Sequence, residues 1–377
     1  MTQTDIDAQV ADATLKLQSH FGTRVTSDYL RKRSQREIRR DYWFKYSNTR
    51  VKKMFSVRVL LRIALHLIGM RRRGQRNALN LSLENNLVIA SDANPDNPAP
   101  GNASNLSTQY TASSTSPEIE SETQAQTKKE EFHLLQLSDL HIDANPDYAT
   151  VLAQTIDGVK ADITLISGDF KARSFGSNEK TLAIMEQLAP SIPNIGQHCY
   201  AILGNHDNLR LVPQLERMGI RCLINESVVV DLPQTKLWLS GIDDPSYYAF
   251  DDLPLSVENN AHFDHWLKNT NEYFSVLMAH SPHVIDAALK YPFDLYLAGH
   301  LHGGQICWPS GKPVHVKDTL PWEVCCGVWR KGRLQGYTSR GSGTSIIDAR
   351  FNCRPEVTLH TIRPTTTPAG SARVTPA

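Results

Sequence analysis

The sequence predicts a layered α/β domain over residues 132–363, its sheets buried under helices, with a basic helical region in front of it. Two observations carry this. Short aliphatic and β-branched runs alternate with runs of helical periodicity across that span, and a polar stretch rich in Asn, Ser, Thr, Pro and Gln separates it from a strongly cationic N-terminus.

Strands are expected at 133–138, 162–167, 199–203, 228–232, 236–240, 274–279, 293–298 and 356–361, where apolar residues dominate. Helices are expected at 148–160, 179–188, 209–218, 260–270 and 283–290. Near-continuous apolar strands separated by helices imply sheets covered on both faces. No internal repeat is visible.

The 377 residues carry a net charge of +1, which conceals a polarised chain. Residues 21–80 hold 17 Lys or Arg against 3 Asp or Glu, about +14 in all, and the remainder is correspondingly acidic. Residues 1–91 read as a basic helical region. Arg31, Lys32, Arg33, Arg36, Arg39 and Arg40 cluster before Tyr42-Trp43-Phe44. Nucleic acid or lipid headgroups could meet such a run, and a solvated helix face is the commoner reading.

Within 54–70, Arg58, Arg62 and His66 recur every four residues on one stripe of an amphipathic helix. Two arginines argue against a bilayer span, and the basic flanks within 50–76 favour attachment to an anionic membrane surface. Residues 92–131 cannot bury enough apolar surface to offset ordering and read as a disordered linker. A second Thr/Pro/Ala-rich tail is expected at 364–377.

Six cysteines lie scattered with no C-x-x-C pair. They read as reduced thiols of a cytoplasmic protein, peripheral on the inner membrane face if the basic segment binds there. The first twenty residues have neither a basic start nor an apolar core, so no secretory signal is visible.

Five expected strands end in side chains suited to metal binding. Asp139 and His141 follow the first, Gly168-Asp169 the second, and Asn205-His206-Asp207 the third. His280 follows 274–279, and His300 with His302 follows 293–298. An i, i+2 pair on extended chain faces one way, so Asp139 with His141, and His300 with His302, can each converge. Mixed carboxylate, amide and imidazole donors suit two neighbouring Mn, Fe or Zn ions better than a closed thiolate site.

The ordered blocks D-x-H, G-D, G-N-H-D, a lone His and G-H-x-H resemble those of the calcineurin-like metallophosphoesterases. Gly299-His-Leu-His-Gly-Gly-Gln305, with 337–345 and 350–356, is similar to the YaeI/YkuE-type phosphodiesterase branch, where Thr usually stands in place of Leu301. The resemblance implies a four-layer sandwich of two mixed sheets flanked by helices. It implies Asp139, His141 and His302 on one ion, Asn205, His280 and His300 on the other, and Asp169 bridging. It also implies His206 as general acid, with Asp207 orienting its ring, while water activated by the ions attacks phosphorus.

The expected function is hydrolysis of a phosphodiester or pyrophosphate, with a lipid-linked phosphate as one substrate option. UDP-2,3-diacylglucosamine cleavage in lipid A synthesis, a membrane- or nucleic-acid-associated nuclease and an inactive scaffold are the alternatives, nucleic acid being the less favoured partner. Asp143 could support the metal ligands, Arg340 could meet a phosphate, and Trp308, Trp322 and Trp329 could line an apolar lip.

Overall fold

A computed structural model describes residues 3–46, 82–89, 131–145, 147–244, 252–314, 320–345 and 348–363. The amphipathic segment 54–70, the tail 364–377 and all but Glu131 of segment 92–131 lie outside the described residues.

In chain order the elements are α1 (Gln3–Phe21), α2 (Ser27–Tyr46), β1 (Ser82–Ile89), β2 (Phe132–Leu137), α3 (Asp147–Ile156), β3 (Ile163–Ile166), α4 (Glu179–Leu188) and β4 (Cys199–Ala201). There follow α5 (Val212–Arg217), β5 (Arg221–Cys222), β6 (Glu226–Asp231), β7 (Lys236–Gly241), α6 (Asp252–Glu258) and α7 (Phe263–Lys268). The last are β8 (Tyr273–Met278), α8 (Ile285–Ala288), β9 (Leu295–Ala298), β10 (Gly327–Lys331), β11 (Leu334–Thr338) and β12 (Glu356–Ile362).

Two six-stranded mixed sheets form, in the orders β1-β12-β2-β3-β4-β5 and β10-β11-β9-β8-β7-β6. Period-two alternation explains how they stack. Leu134 of β2 and Ile163 and Leu165 of β3 meet Val276 of β8 and Leu295 and Leu297 of β9 between the sheets. Leu135 and Leu137 point the other way, onto Leu152 and Ile156 of α3 and Met185 and Leu188 of α4. Trp238, Leu277 and Tyr296 cover the opposite outer face with Trp266 of α7 and Trp329 of β10. The result is the expected sandwich, helix on sheet on sheet on helix.

β2, β3 and β4 run parallel in one sheet and β7, β8 and β9 in the other, so their C-terminal ends gather along one edge. That edge carries the candidate ligands. Among the described residues no helix is long and apolar enough to cross a membrane.

Three findings differ from the sequence reading. Ser82–Ile89, inside the segment read as helical, is a strand paired parallel to β12. Trp329 belongs to the outer core, donating its indole N–H to Thr338 Oγ1, so that of the three tryptophans expected at the lip Trp308 and Trp322 are exposed. The N-terminal basic run is not one solvated face: Arg31 and Lys32 pair with Asp28 at the surface, but Arg33 is buried between Glu37 and Asp243.

Candidate metal centre

The five strand ends converge through backbone shape rather than strand pleat. Asp139, His141, Asp169, His300 and His302 have φ of 48°, 40°, 58°, 71° and 50°, the left-handed region that non-glycine residues rarely occupy. The extended-chain argument for the i, i+2 pairs therefore fails. The strands end two to four residues before these side chains, and left-handed turns then throw them inward. Such conformations cost about 1–3 kcal/mol each and persist where surrounding bonds fix them. Here the loops hold one another, with Asp139 N–H on Gly168 O and His141 N–H on Asp169 O, both at 3.0 Å.

Asp169 lies at the centre. Its Oδ2 is 3.5 Å from His141 Nε2 and 3.3 Å from His280 Nε2. His141 donates its Nδ1 proton to Lys171 O at 2.6 Å, and His280 donates its own to Ser167 O at 2.7 Å. In each neutral ring the Nε2 lone pair must then face the Asp169 carboxylate. His280 Nε2 is buried and has no hydrogen-bond partner.

On the His141 side, His302 Nε2 is 3.1 Å from His141 Nε2 and 3.4 Å from Asp139 Oδ1. On the other side, His300 Nδ1 is 2.8 Å from Asn205 Oδ1, and the His280 and His300 rings meet edge to face at 5.2 Å. Asp139 accepts from Ser138 Oγ at 2.6 Å and from His300 N at 3.0 Å, which fixes its carboxylate.

The electrostatics follow from burial in a charged cluster. Burial pushes the His141 ring down to about 3. Burial, His141 and Arg350 hold His302 well below the usual imidazole range. Burial opposes charge on His280, but Asp169 and Asp139 outweigh it and raise its pKa well above the ordinary value. Burial raises the Asp139 carboxyl, whereas Asp169, equally buried, is held below the usual range by His280 and His206. Lone pairs and carboxylates aimed at common points are a set that divalent cations would satisfy.

The calcineurin-like phosphoesterase family matches residues 132–304, the span that delivers every candidate ligand named above. That stretch is a calcineurin-like metallophosphoesterase domain. Over 244 residues the chain is 28% identical to the uncharacterized metallophosphoesterase YkoQ of Bacillus subtilis (strain 168), covering 62% of this chain and 84% of YkoQ. It is 28% identical over 236 residues to the phosphodiesterase YaeI of Escherichia coli (strain K12), covering 60% and 81%. It is likewise 28% identical over 251 residues to the uncharacterized metallophosphoesterase YkuE of Bacillus subtilis (strain 168), covering 62% and 80%. The metallophosphoesterase domain is a metal-dependent phosphoester hydrolase.

His206 borders the same cluster. Its N–H donates to Asp169 Oδ1 at 2.8 Å and its Nδ1–H to Ala172 O at 3.0 Å, and one of its ring nitrogens lies within 4.8 Å of ligand atoms of His141 and Asp169. Its ring meets that of His141 edge to face at 4.8 Å, and burial lowers its pKa.

Asp207 does not orient that ring. Its carboxylate instead accepts from the backbone N–H groups of Gly204, Asp169, Phe170 and Lys171, at 2.8–3.3 Å. The imidazole takes the Ala172 carbonyl because the Asp207 side chain turns back beneath its own loop. Asp143 acts similarly, accepting from Ala172 N at 2.6 Å. Arg340 pairs with Glu356 at 2.5 Å rather than offering itself to a phosphate.

Sequence reasoning missed Arg350, buried with Nη2 3.2 Å from His302 Nδ1 and bonded to the carbonyls of Arg340 and Gly341. Its only signal was its place at the head of the 350–356 block that shares the phosphodiesterase-branch resemblance. Asp243 and Asp244, at the end of β7, form a sixth strand end with buried carboxylates, legible as Gly241-Ile-Asp-Asp-Pro245.

Proposed function

We propose that the domain hydrolyses a phosphodiester or pyrophosphate with two divalent cations. Asp139, His141 and His302 would hold one cation, Asn205, His280 and His300 the other, and Asp169 would bridge. The observation that carries this is the placement of Asp169 Oδ2 between His141 Nε2 and His280 Nε2 at 3.5 and 3.3 Å. A carboxylate flanked by two lone pairs needs positive charge on both sides. Bound there, the cations would supply Lewis acidity and an activated water for in-line displacement at phosphorus.

His206 protonates the leaving oxygen in this reading. Its Nδ1–H bond to Ala172 O fixes the ring, and Nε2 carries the transferable proton. Burial disfavours that proton, and an anionic phosphate arriving beside the ring would offset the burial.

A lipid-linked phosphate is favoured by one surface feature. Trp308 and Trp322 are 59% and 46% exposed beyond the His300–His302 loop, and Lys312 Nζ lies 5.2 Å over the Trp322 ring. An aromatic rim with a cation suits an amphiphilic phosphate at an interface. UDP-2,3-diacylglucosamine is the specific candidate, reached at the inner membrane face through 50–76, with manganese as the first metal to test.

The test reconstitutes the protein with Mn, Fe or Zn and compares bis-p-nitrophenyl phosphate, the monoester and UDP-2,3-diacylglucosamine. Faster turnover of diesters or the pyrophosphate supports the proposal. Preference for the monoester, or cleavage of DNA or RNA in place of both, overturns the substrate class. Metal binding with no turnover of any phosphate points to the scaffold reading.

A further inference from the structure

Helix α2 reaches the site from outside both sheets. Arg40 donates from Nη1 to Asn205 O at 3.2 Å and from Nη2 to Asp207 O at 3.4 Å, the two carbonyls that flank His206. One turn back, Glu37 Oε1 accepts the Leu209 N–H at 2.9 Å, where the same loop ends. It also accepts from Arg33 Nη1 at 2.6 Å, and Arg33 Nε donates to Asp243 Oδ2 at 2.6 Å. Tyr29 adds its hydroxyl to Asp243, which in turn accepts from Asp244 N.

Tyr29, Arg33, Glu37 and Arg40 follow the helical period, so they form one stripe along α2. That stripe joins the loop after β4, in one sheet, to the loop after β7, in the other. Arg33, Glu37 and Asp243 are each at most 2% exposed. Packing alone would be served by apolar residues on such a face, as it is on the neighbouring face through Leu30 and Ile38. A buried polar stripe whose members bond to loop backbone fixes positions that apolar contacts would leave free.

We propose that α2 is a positioning element of the catalytic site, with Arg40 and Glu37 setting the placement of the 205–209 loop and hence of His206. The proposal rests on the reading of His206 as proton donor. Catalytic groups displaced by about 1 Å lose about a hundredfold in rate, so a loosened loop has a kinetic signature.

The experiment uses the full-length, Mn-loaded protein and bis-p-nitrophenyl phosphate. Arg40→Ala is expected to lower kcat by about 10- to 100-fold with KM within about threefold. Its melting temperature should stay within about 2 °C of the wild type, because Arg40 is only half-buried. Hydrogen exchange at 205–209 should accelerate. Glu37→Gln keeps an oxygen for Leu209 N–H and should retain more activity than Glu37→Ala.

A double-mutant cycle separates positioning from general weakening. If Arg40 acts through His206, adding Arg40→Ala to His206→Ala should cost little further. An equal kcat loss in both backgrounds, or unchanged exchange at 205–209 in Arg40→Ala, overturns the proposal. Should His206→Ala itself turn over as wild type, the proton-donor reading falls, and the exchange data still decide whether Arg40 holds the loop.

Discussion

His280 Nε2 and Asp169 Oδ2 lie 3.3 Å apart with no hydrogen bond joining them, at a point sealed from solvent. The Nδ1 proton of His280 is committed to Ser167 O, so only an added proton or a metal cation reconciles the pair. Cation binding to the folded state alone must stabilise it. Mn at about 100 times its Kd should add about 2.7 kcal/mol per site, with chelator reversing the gain. Asp169→Asn should remove most of it at both sites. Thermal melts with and without Mn check this, and identical curves would mean the cluster holds no metal.

His206 and Asp207 are neighbours with separate duties, and their variants should separate. His206→Ala should lower kcat by about 10² to 10⁴ while metal content holds, because in the proposed reading the ring gives a proton to the leaving group and is not one of the proposed metal ligands. The loss should be larger for a phenyl phosphodiester than for the p-nitrophenyl one, whose leaving group needs less protonation. Steady-state kinetics with metal analysis on the two esters decide it.

Asp207→Ala should instead fail as a fold defect. Its carboxylate serves four buried N–H groups, and leaving them unpaired costs roughly 3–5 kcal/mol. Denaturant unfolding should register that loss, with metal retention falling alongside. Wild-type stability in Asp207→Ala would contradict the tie.

Strands rich in Leu, Ile and Val announced both sheets, and the residues just past their ends announced the cluster. The device that gathers them was hidden, because nothing in Ser138-Asp139-Leu-His141 signals a left-handed turn. Edge elements were harder to read. Gly327–Lys331 and Leu334–Thr338 pair around Gly332 with charged residues between, and Ser82–Ile89 mixes polar and apolar positions. The inward face of α2 had no local signal at all. Arg33 meets Asp243 across 210 residues and Glu37 meets Leu209 across 172, and a basic helix looks alike whether its charges face water or carboxylates.

Gly299 is required by close approach. A Cβ there would overlap Ser138 Oγ and Asp139 Oδ2, and neither residue can retreat, since both are fully buried. Gly299→Ala should therefore push the Asp139 carboxylate off its position, lowering Mn affinity by at least about tenfold and stability by about 1–3 kcal/mol. Calorimetric titration and melting curves measure the two effects. Unaltered Mn affinity would show that Asp139 tolerates displacement.

His360 gives the protein an acid-sensitive point outside the set of candidate metal ligands. The ring is fully buried on β12, donates from Nε2 to Gln136 Oε1 at 3.0 Å, and has no partner at Nδ1. Burial pushes its pKa from 6.5 down to about 3. The unfolded chain therefore takes up a proton near pH 6.5 that the folded chain refuses until about pH 3. The neutral ring's contribution is complete above pH 6.5 and is lost as pH falls through that window, by up to about 1.4 kcal/mol per pH unit. In His360→Gln an amide keeps a donor for Gln136 without titrating. Urea unfolding of both metal-free proteins between pH 7 and pH 4 should show a shallower decline in the variant, by about one proton's worth. Parallel declines would mean that His360 is protonated in the folded state as readily as in the unfolded one.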